Sequence, residues 1–424
     1  MAHQFLAGAA LASIHHIRLV FCVALMALMG ACDDADDFSN FSTLNPPVNA
    51  PVAPPPMVDR VGPTPDATVS AAPAGAPSQF FRLFDIAAQG YVEEEFFISG
   101  TARSFRPVSA LNATGPWPVE TAGDAAYTTR IVVYRPVDLS AFNGTVIVEW
   151  MNVSSGFDIG VDWINLHTEI IREGYIWVGV SAQQTAISGS AAFALQNINP
   201  SRYASLSHPG DDFSYDIFSQ VAKALRTPVG VNPLDGVFVE TLIAAGQSQS
   251  ANRLVTYINA VHPEADEFDA FFVHSRTRSP APLAPFLNGD EARGPSETQV
   301  FGNGSEPVLT FQAEGDIEVL GSAPTRQADN ASFRYWEVAG GAHSDLYFSS
   351  TGLTDLGGDP NAALVVENAS PQPPFVVCDL PVNALPLHLV IKAGFSALNE
   401  WTRGGAAPPS VPFINLDADG NVVR

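Results

Sequence analysis

Residues 237–262 read VFVETLIAAGQSQSANRLVTYINAVH, and they constrain this chain more than any other stretch. An apolar, β-branched run from Val237 to Ala245 breaks at Gly246-Gln247-Ser248-Gln249-Ser250. Apolar residues then return at Ala251, Leu254, Val255, Ile258 and Val261, the spacing of a helix. A strand, a tight turn and a helix with a serine at the apex place that serine in a strained backbone position, so its neighbours must be small. Gly246 and Ser250 meet this need, Ser250 standing where a second glycine is more usual. Such a turn lifts the Ser248 hydroxyl above the edge of a sheet. It also leaves the Gln249 amide at a helix N-terminus, able to donate to an oxyanion. A G-x-S-x-S string is weak by itself, since loops are rich in both residues; its value depends on what precedes and follows it.

The context is that of an α/β fold. Strands are predicted at Tyr91–Gly100, Tyr127–Tyr134, Gly144–Asn152, Tyr175–Ser181, Phe268–His274, Pro307–Gln312 and Phe333–Val338, besides the run before the serine. Helical periodicity marks 161–173, stopped by Gly174, then Ser214–Arg226 and Val390–Trp401. The first two strands read as an antiparallel edge. The remaining alternation predicts a mainly parallel central sheet with helices on both faces. Residues 182–212, 275–306 and 344–380 are irregular, and the second of these is placed to cover a site.

Two later strand ends carry the partners a serine needs. One ends in Ala313-Glu314-Gly315-Asp316, the other in Ala339-Gly340-Gly341-Ala342-His343. A serine hydroxyl is a poor nucleophile until an imidazole takes its proton, and a buried carboxylate holds that imidazole in the right tautomer. The order serine, acid, histidine is that of α/β-hydrolases. Among nine histidines, only His343 stands in a glycine-rich loop after the last strand; His274 reads as a hydrogen-bonded wall residue, and His208 lies in a loop. Asp316 is the preferred acid because it lies in the turn, with Glu314 and then Glu318 as alternatives. The second oxyanion donor, beside Gln249, belongs to the loop after the third strand, at Asn152 or Val153.

At 46% hydrophobic residues, the 424-residue chain can bury a large core. Its formal charge of −24, from 44 acidic and 20 basic residues, excludes nucleic acid and anionic lipid as electrostatic partners. Three cysteines, Cys22, Cys32 and Cys378, do not make a disulfide framework. No H-E-x-x-H zinc signature and no early G-x-G-x-x-G is present, so no metal or cofactor is expected. Asp417-Ala-Asp419-Gly420 reads as a turn rather than a calcium loop.

Residues 1–31 read as an export signal: His15, His16 and Arg18, then an apolar core, then Gly30-Ala31. Cys32 completes a lipobox-like Leu28-Met29-Gly30-Ala31-Cys32, which predicts lipidation; cleavage near Ala31 for plain secretion is the alternative. Residues 32–79 are rich in Pro and Ala and read as a tether, with a single domain from 80 to 424. The expected location is the cell envelope or beyond, with the membrane touched only through the lipid.

Asn152-Val-Ser-Ser-Gly156, the run from Ser207 to Gln220, Gly246 to Ala251, Trp336 to Asp345, and Trp401-Thr-Arg-Gly-Gly followed by Pro408-Pro409 together resemble a family of bacterial exported proteins known mainly as α/β-hydrolase domain proteins. The resemblance spans roughly residues 80–415. It implies the α/β-hydrolase fold and a triad of Ser248, His343 and an acid near 314–316, and says little about substrate. The expected activity is that of a serine hydrolase acting on a small or polymer-derived ester, with lactone, thioester and peptide substrates open. The contrasting expectation is a surface lipoprotein that uses the scaffold only for binding; three triad residue types in order argue against it.

Overall fold

The computed structural model describes residues 61–287, 290–301, 304–358 and 382–423. The alternation of apolar strands with amphipathic helices builds a ten-stranded sheet. Its strands are β1 (Thr68–Ala71), β2 (Tyr91–Pro107), β3 (Val119–Pro136), β4 (Thr145–Trp150), β5 (Ile176–Val180), β6 (Val229–Gly230), β7 (Thr241–Gln247), β8 (Ala270–His274), β11 (Val308–Ala313) and β12 (Phe333–Val338). A separate hairpin, β9 (Ala284–Leu287) and β10 (Asp290–Ala292), lies within the stretch expected to be irregular. The main order is β12-β11-β8-β7-β4-β5-β3-β2-β1-β6. From β12 to β5 neighbouring strands are parallel; β3, β2 and β1 join antiparallel.

The central strands are buried on both faces, which is why they read as continuous apolar runs. Successive residues still alternate between two cores. Val146 and Val148 of β4 and Leu242 and Ala244 of β7 face one cluster, filled by Phe218 and Leu254. Ile147, Ile243 and Ala245 face the other, filled by Trp163, Ile164, Ile391 and Phe395. The covering helices are α1 (Val161–Glu173) and α6 (Leu387–Thr402) on the second face, with α2 (Ser214–Arg226) and α3 (Gln249–Thr256) on the first. A π turn, Tyr257–Val261, and the short α4 (His262–Ala265) continue from α3, so the helix expected after the serine changes pitch near its middle.

The domain starts earlier than residue 80. Residues 61–79 belong to it: β1 pairs with both β2 and β6, and Thr64, Ala67 and Val69 are buried. Thr68-Val69-Ser70-Ala71 escapes the surrounding prolines, and a proline-free stretch can join a ladder. Arg103 Nη1 donates to the carbonyls of Val61 and Gly62, which ties the entering chain down. The β2–β3 hairpin is not the edge expected of it, since β1 and β6 lie beyond β2; it is also longer than expected, at 17 and 18 residues, with Gly100 and Gly123 inside its strands. A Cβ at Gly100 would stand 2.7 Å from Gln220 Oε1 of α2, so the bare backbone there allows close packing. The strand before the serine starts at Thr241 rather than Val237, and Phe238 is left exposed. Asp417 accepts from the amides of Asp419 and Asn421, which is a turn. Cys32, the predicted signal and most of the tether lie outside the described residues.

Candidate active site

β7 ends at Gln247, and α3 starts at Gln249. Ser248 between them has φ 58° and ψ −118°, a region that costs a non-glycine residue about 1–3 kcal/mol. Several contacts hold it there. The Ser248 amide donates to the His274 carbonyl at 2.9 Å, the Asn252 amide donates to the Ser248 carbonyl at 3.0 Å, and Asn152 Nδ2 donates to the Gln247 carbonyl at 3.1 Å. The demand for small neighbours has a steric cause: a Cβ at Gly246 would fall 3.1 Å from Ser250 Cβ and 3.2 Å from Leu254 Cδ1.

Past β11 the chain turns into α5 (Glu314–Glu318), and Asp316 sits there fully buried. Its Oδ2 accepts from the Ala313 amide at 2.6 Å, which fixes the carboxylate against the strand end. Its Oδ1 lies 2.6 Å from His343 Nδ1. A carboxylate at that distance assigns the proton to Nδ1 and leaves Nε2 as the acceptor. Nε2 is turned toward the elbow, since the Gln247 side-chain amide donates to it across 3.4 Å. The His343 side chain is 21% exposed, whereas Ser248, at the same end of the sheet, is buried at 8%. Two glycines let the loops meet. The Gly315 amide donates to the Gly341 carbonyl at 2.9 Å, and a Cβ at Gly315 would stand 3.1 Å from the His343 amide nitrogen.

Glu314, the alternative acid, does not reach the imidazole: its Oε2 accepts from the Gly340 amide at 2.7 Å and pins the loop that carries His343. Glu318 is exposed. Asn152 requires a correction. Its amide donates to the Ile159 carbonyl at 2.9 Å and its side chain braces the elbow, so its backbone donor is not available to an oxyanion. The neighbouring Val153 amide has no acceptor among the described residues. The Gln249 amide, first in α3, lacks a helical acceptor by position.

Some contributors had no clear sequence signal. Gln183 Oε1 accepts from Gln249 Nε2 at 2.8 Å and from Trp150 Nε1 at 3.1 Å, while its amide donates to Asp211, which Arg253 of α3 also pairs with. The Ser207–Gln220 stretch thus braces the helix behind the serine. His208 serves as structure, with Nε2 2.9 Å from the Ala182 carbonyl. His274 Nδ1 lies 2.7 Å from Asp162 Oδ1, and both are buried. Glu149 accepts from the amides of Asp162 and Trp163 and from Trp177 Nε1. Burial, with the nearby Asp162 charge, pushes the Glu149 carboxyl well up. A cavity of about 10 Å³ lies between Gln247, His274, His343 and Asp345, room for about one water. Burial pushes the Asp345 carboxyl up to about 6.

The sheet order, the strained serine after β7 and the buried acid beside a strand-end histidine define an α/β hydrolase. The chain belongs to the alpha/beta hydrolase domain family, whose model matches residues 59–424. No curated protein matches it. Solved structures overlap in part. An α/β serine hydrolase without a lid from Xanthomonas campestris is 15% identical, with a TM-score of 0.31, 56% of this chain and 88% of that one covered. A glucuronoyl esterase from Teredinibacter turnerae is 12% identical, with a TM-score of 0.31 and 66% and 76% covered. An esterase from Pyrobaculum calidifontis is 13% identical, with a TM-score of 0.29 and 54% and 77% covered. Overlaps this slight say nothing about substrate.

Proposed function

We propose that this chain is a serine hydrolase, a carboxylic ester hydrolase that works through an acyl-enzyme. Ser248 Oγ attacks the acyl carbonyl and passes its proton to His343 Nε2. Asp316 holds the imidazole by Nδ1 and stabilises its charged form. The amides of Gln249 and Val153 receive the developing oxyanion; each good donor of this kind is worth about 10²–10³ in turnover. His343 then returns the proton to the leaving alkoxide, and a water activated by the same imidazole releases the acid. The observation that carries this reading is the 2.6 Å contact of Asp316 with His343 Nδ1, which leaves Nε2 on the side of the elbow, 3.4 Å from the Gln247 side-chain amide.

A fluorophosphonate probe tests it. Labelling of the wild-type protein, mapped to the peptide holding Ser248 and lost in Ser248→Ala with the fold intact, is the expected result. Absence of labelling in well-folded wild-type protein overturns the reading in favour of a binding scaffold, and labelling that maps to Ser250 moves the nucleophile.

We also propose export and anchoring through a lipidated Cys32, from the sequence of residues 1–32 alone. No helix among the described residues is long and apolar enough to cross a membrane. Cys32→Ala is expected to move the protein from the membrane fraction to the soluble one. Wild-type protein that is soluble, with an unacylated N-terminus, rules the anchor out.

A further inference from the structure

The end of the sheet away from Ser248 holds a second cluster of chemistry-bearing residues. His262 opens α4, Asp266 caps that helix in the left-handed conformation with φ 51°, and Glu306 stands just before β11. One ligand atom from each of the three lies within 4.8 Å of the other two. His262 is fully buried, and its ring packs edge-on to Phe271 at 4.7 Å. Among the described residues, neither of its ring nitrogens has a hydrogen bond of good geometry. Nε2 lies 3.2 Å from Glu306 Oε2, off the line a hydrogen bond requires. A polar ring buried without a hydrogen bond is a costly arrangement unless something satisfies it. A cavity of about 160 Å³, bounded by Ile258, Val300, Val308 and Phe333, opens beside His262 and Glu306.

We propose that His262, Asp266 and Glu306 form a binding site for a divalent transition-metal ion. The donor set is one imidazole and two carboxylates, which suits zinc and, with more oxygen ligands, manganese. Two ligands on such an ion stand about 3 Å apart, from bond lengths near 2.0–2.2 Å, and the His262–Glu306 separation of 3.2 Å matches. The ion takes the lone pair that no hydrogen bond claims. Its remaining positions face the cavity, so water or a small anion completes the sphere. His262 and Asp266 are four residues apart on one short helix, whereas Glu306 comes from the segment entering β11. The ion therefore ties α4 to the base of β11, the strand that leads into the turn holding Asp316. This site is independent of the hydrolase reading above.

The test uses the protein stripped with a chelator and dialysed, titrated separately with zinc and manganese by calorimetry, with thermal midpoints measured in parallel. One site per chain is expected, with a midpoint rise of roughly 3–6 °C at a hundredfold excess over Kd. Asp266→Asn and Glu306→Gln should each weaken binding about tenfold or more, as lost ligand charge does. Asp266 is exposed and asparagine tolerates the left-handed region, so the first variant folds. His343→Ala is expected to leave the affinity unchanged, which separates this ion from one captured at the candidate active site. Failure to bind either metal more tightly than about 100 μM, the weak end of specific affinities, overturns the proposal and leaves His262 and Glu306 as an ion pair only. Binding that survives both carboxylate variants overturns it as well, since the ion is then held elsewhere on an acidic surface.

Discussion

His274 with Asp162 and His343 with Asp316 are two histidine–aspartate pairs, 2.7 Å and 2.6 Å apart, at the same end of the sheet. By distance and atom they are alike: Nδ1 meets Oδ1 in both. Their surroundings differ. The His274 side chain is 4% exposed, is built into the end of β8 and gives its carbonyl to the Ser248 amide. The His343 side chain is 21% exposed, rides on a loop freed by glycines and turns Nε2 toward the elbow. In the proposed mechanism a dyad carries a proton only where its far nitrogen can reach the proposed nucleophile and solvent. The inner pair has the parts but not the opening, and it holds up the elbow from below.

Breaking the outer acid sharpens this contrast most. Asp316→Asn should lower turnover on a short-chain aryl ester about 10⁴-fold, the size seen when a triad amide holds the wrong tautomer; that is ~5 kcal/mol. Its thermal midpoint should move far less than its rate. A rate within tenfold of wild type would remove Asp316 from the mechanism.

A pH effect is expected at Asp345, which lines one small cavity with His274 and His343. Its carboxyl rises from 3.8 to about 6 on burial, with the His274 charge partly opposing. The folded state therefore favours the protonated form. The associated stability is present below about pH 4 and lost as pH rises through about 6, at most roughly 3 kcal/mol at 1.36 kcal/mol per unit. Asp345→Asn keeps an oxygen for the Phe348 amide, now accepted at 2.8 Å, and removes the penalty. Thermal midpoints should show the variant gaining on wild type from pH 5 to pH 7.5; parallel curves would show that the carboxyl does not titrate there.

The inner pair should answer in stability. Asp162→Asn leaves His274 with a poorer partner, at about 1–3 kcal/mol for a disturbed buried hydrogen bond, read by urea denaturation, with turnover falling less than tenfold. A loss of turnover near that of Asp316→Asn, without loss of stability, would make the two pairs functional equals. The smallest effect belongs to Glu314→Gln, tenfold or less in turnover, about 1.4 kcal/mol, because the amide oxygen can still accept from Gly340. A crippled Glu314→Gln would return the acid role to residue 314.

Much of the fold was legible because burial on both faces leaves continuous apolar runs. The strand Phe333–Val338 and the helices over 161–173 and 214–226 sit where periodicity predicts them. β1 was hidden among prolines. The extra length of the β2–β3 hairpin was hidden by glycine and polar residues, which serve a one-sided strand as well as a loop. The elbow was legible because its strain demands small residues at fixed offsets around Ser248. The choice of acid was not, since Glu314 and Asp316 share one chemistry and differ only in which atom the turn brings to His343.

Local chemistry in the sequence thus determined the residue types and their order: a strained serine, then an acid, then a histidine on a glycine-rich loop. Tertiary structure alone decided which atoms meet. It withdrew the Asn152 amide by pairing it with Ile159, left the Val153 amide without an acceptor among the described residues and gave Asp316 rather than Glu314 to the imidazole. It also gathered His262 and Asp266 at the two ends of α4 with Glu306 just before β11. Sequence spacing encodes periodic burial, which is local, whereas a hydrogen bond is settled within a few tenths of an ångström by how distant loops pack.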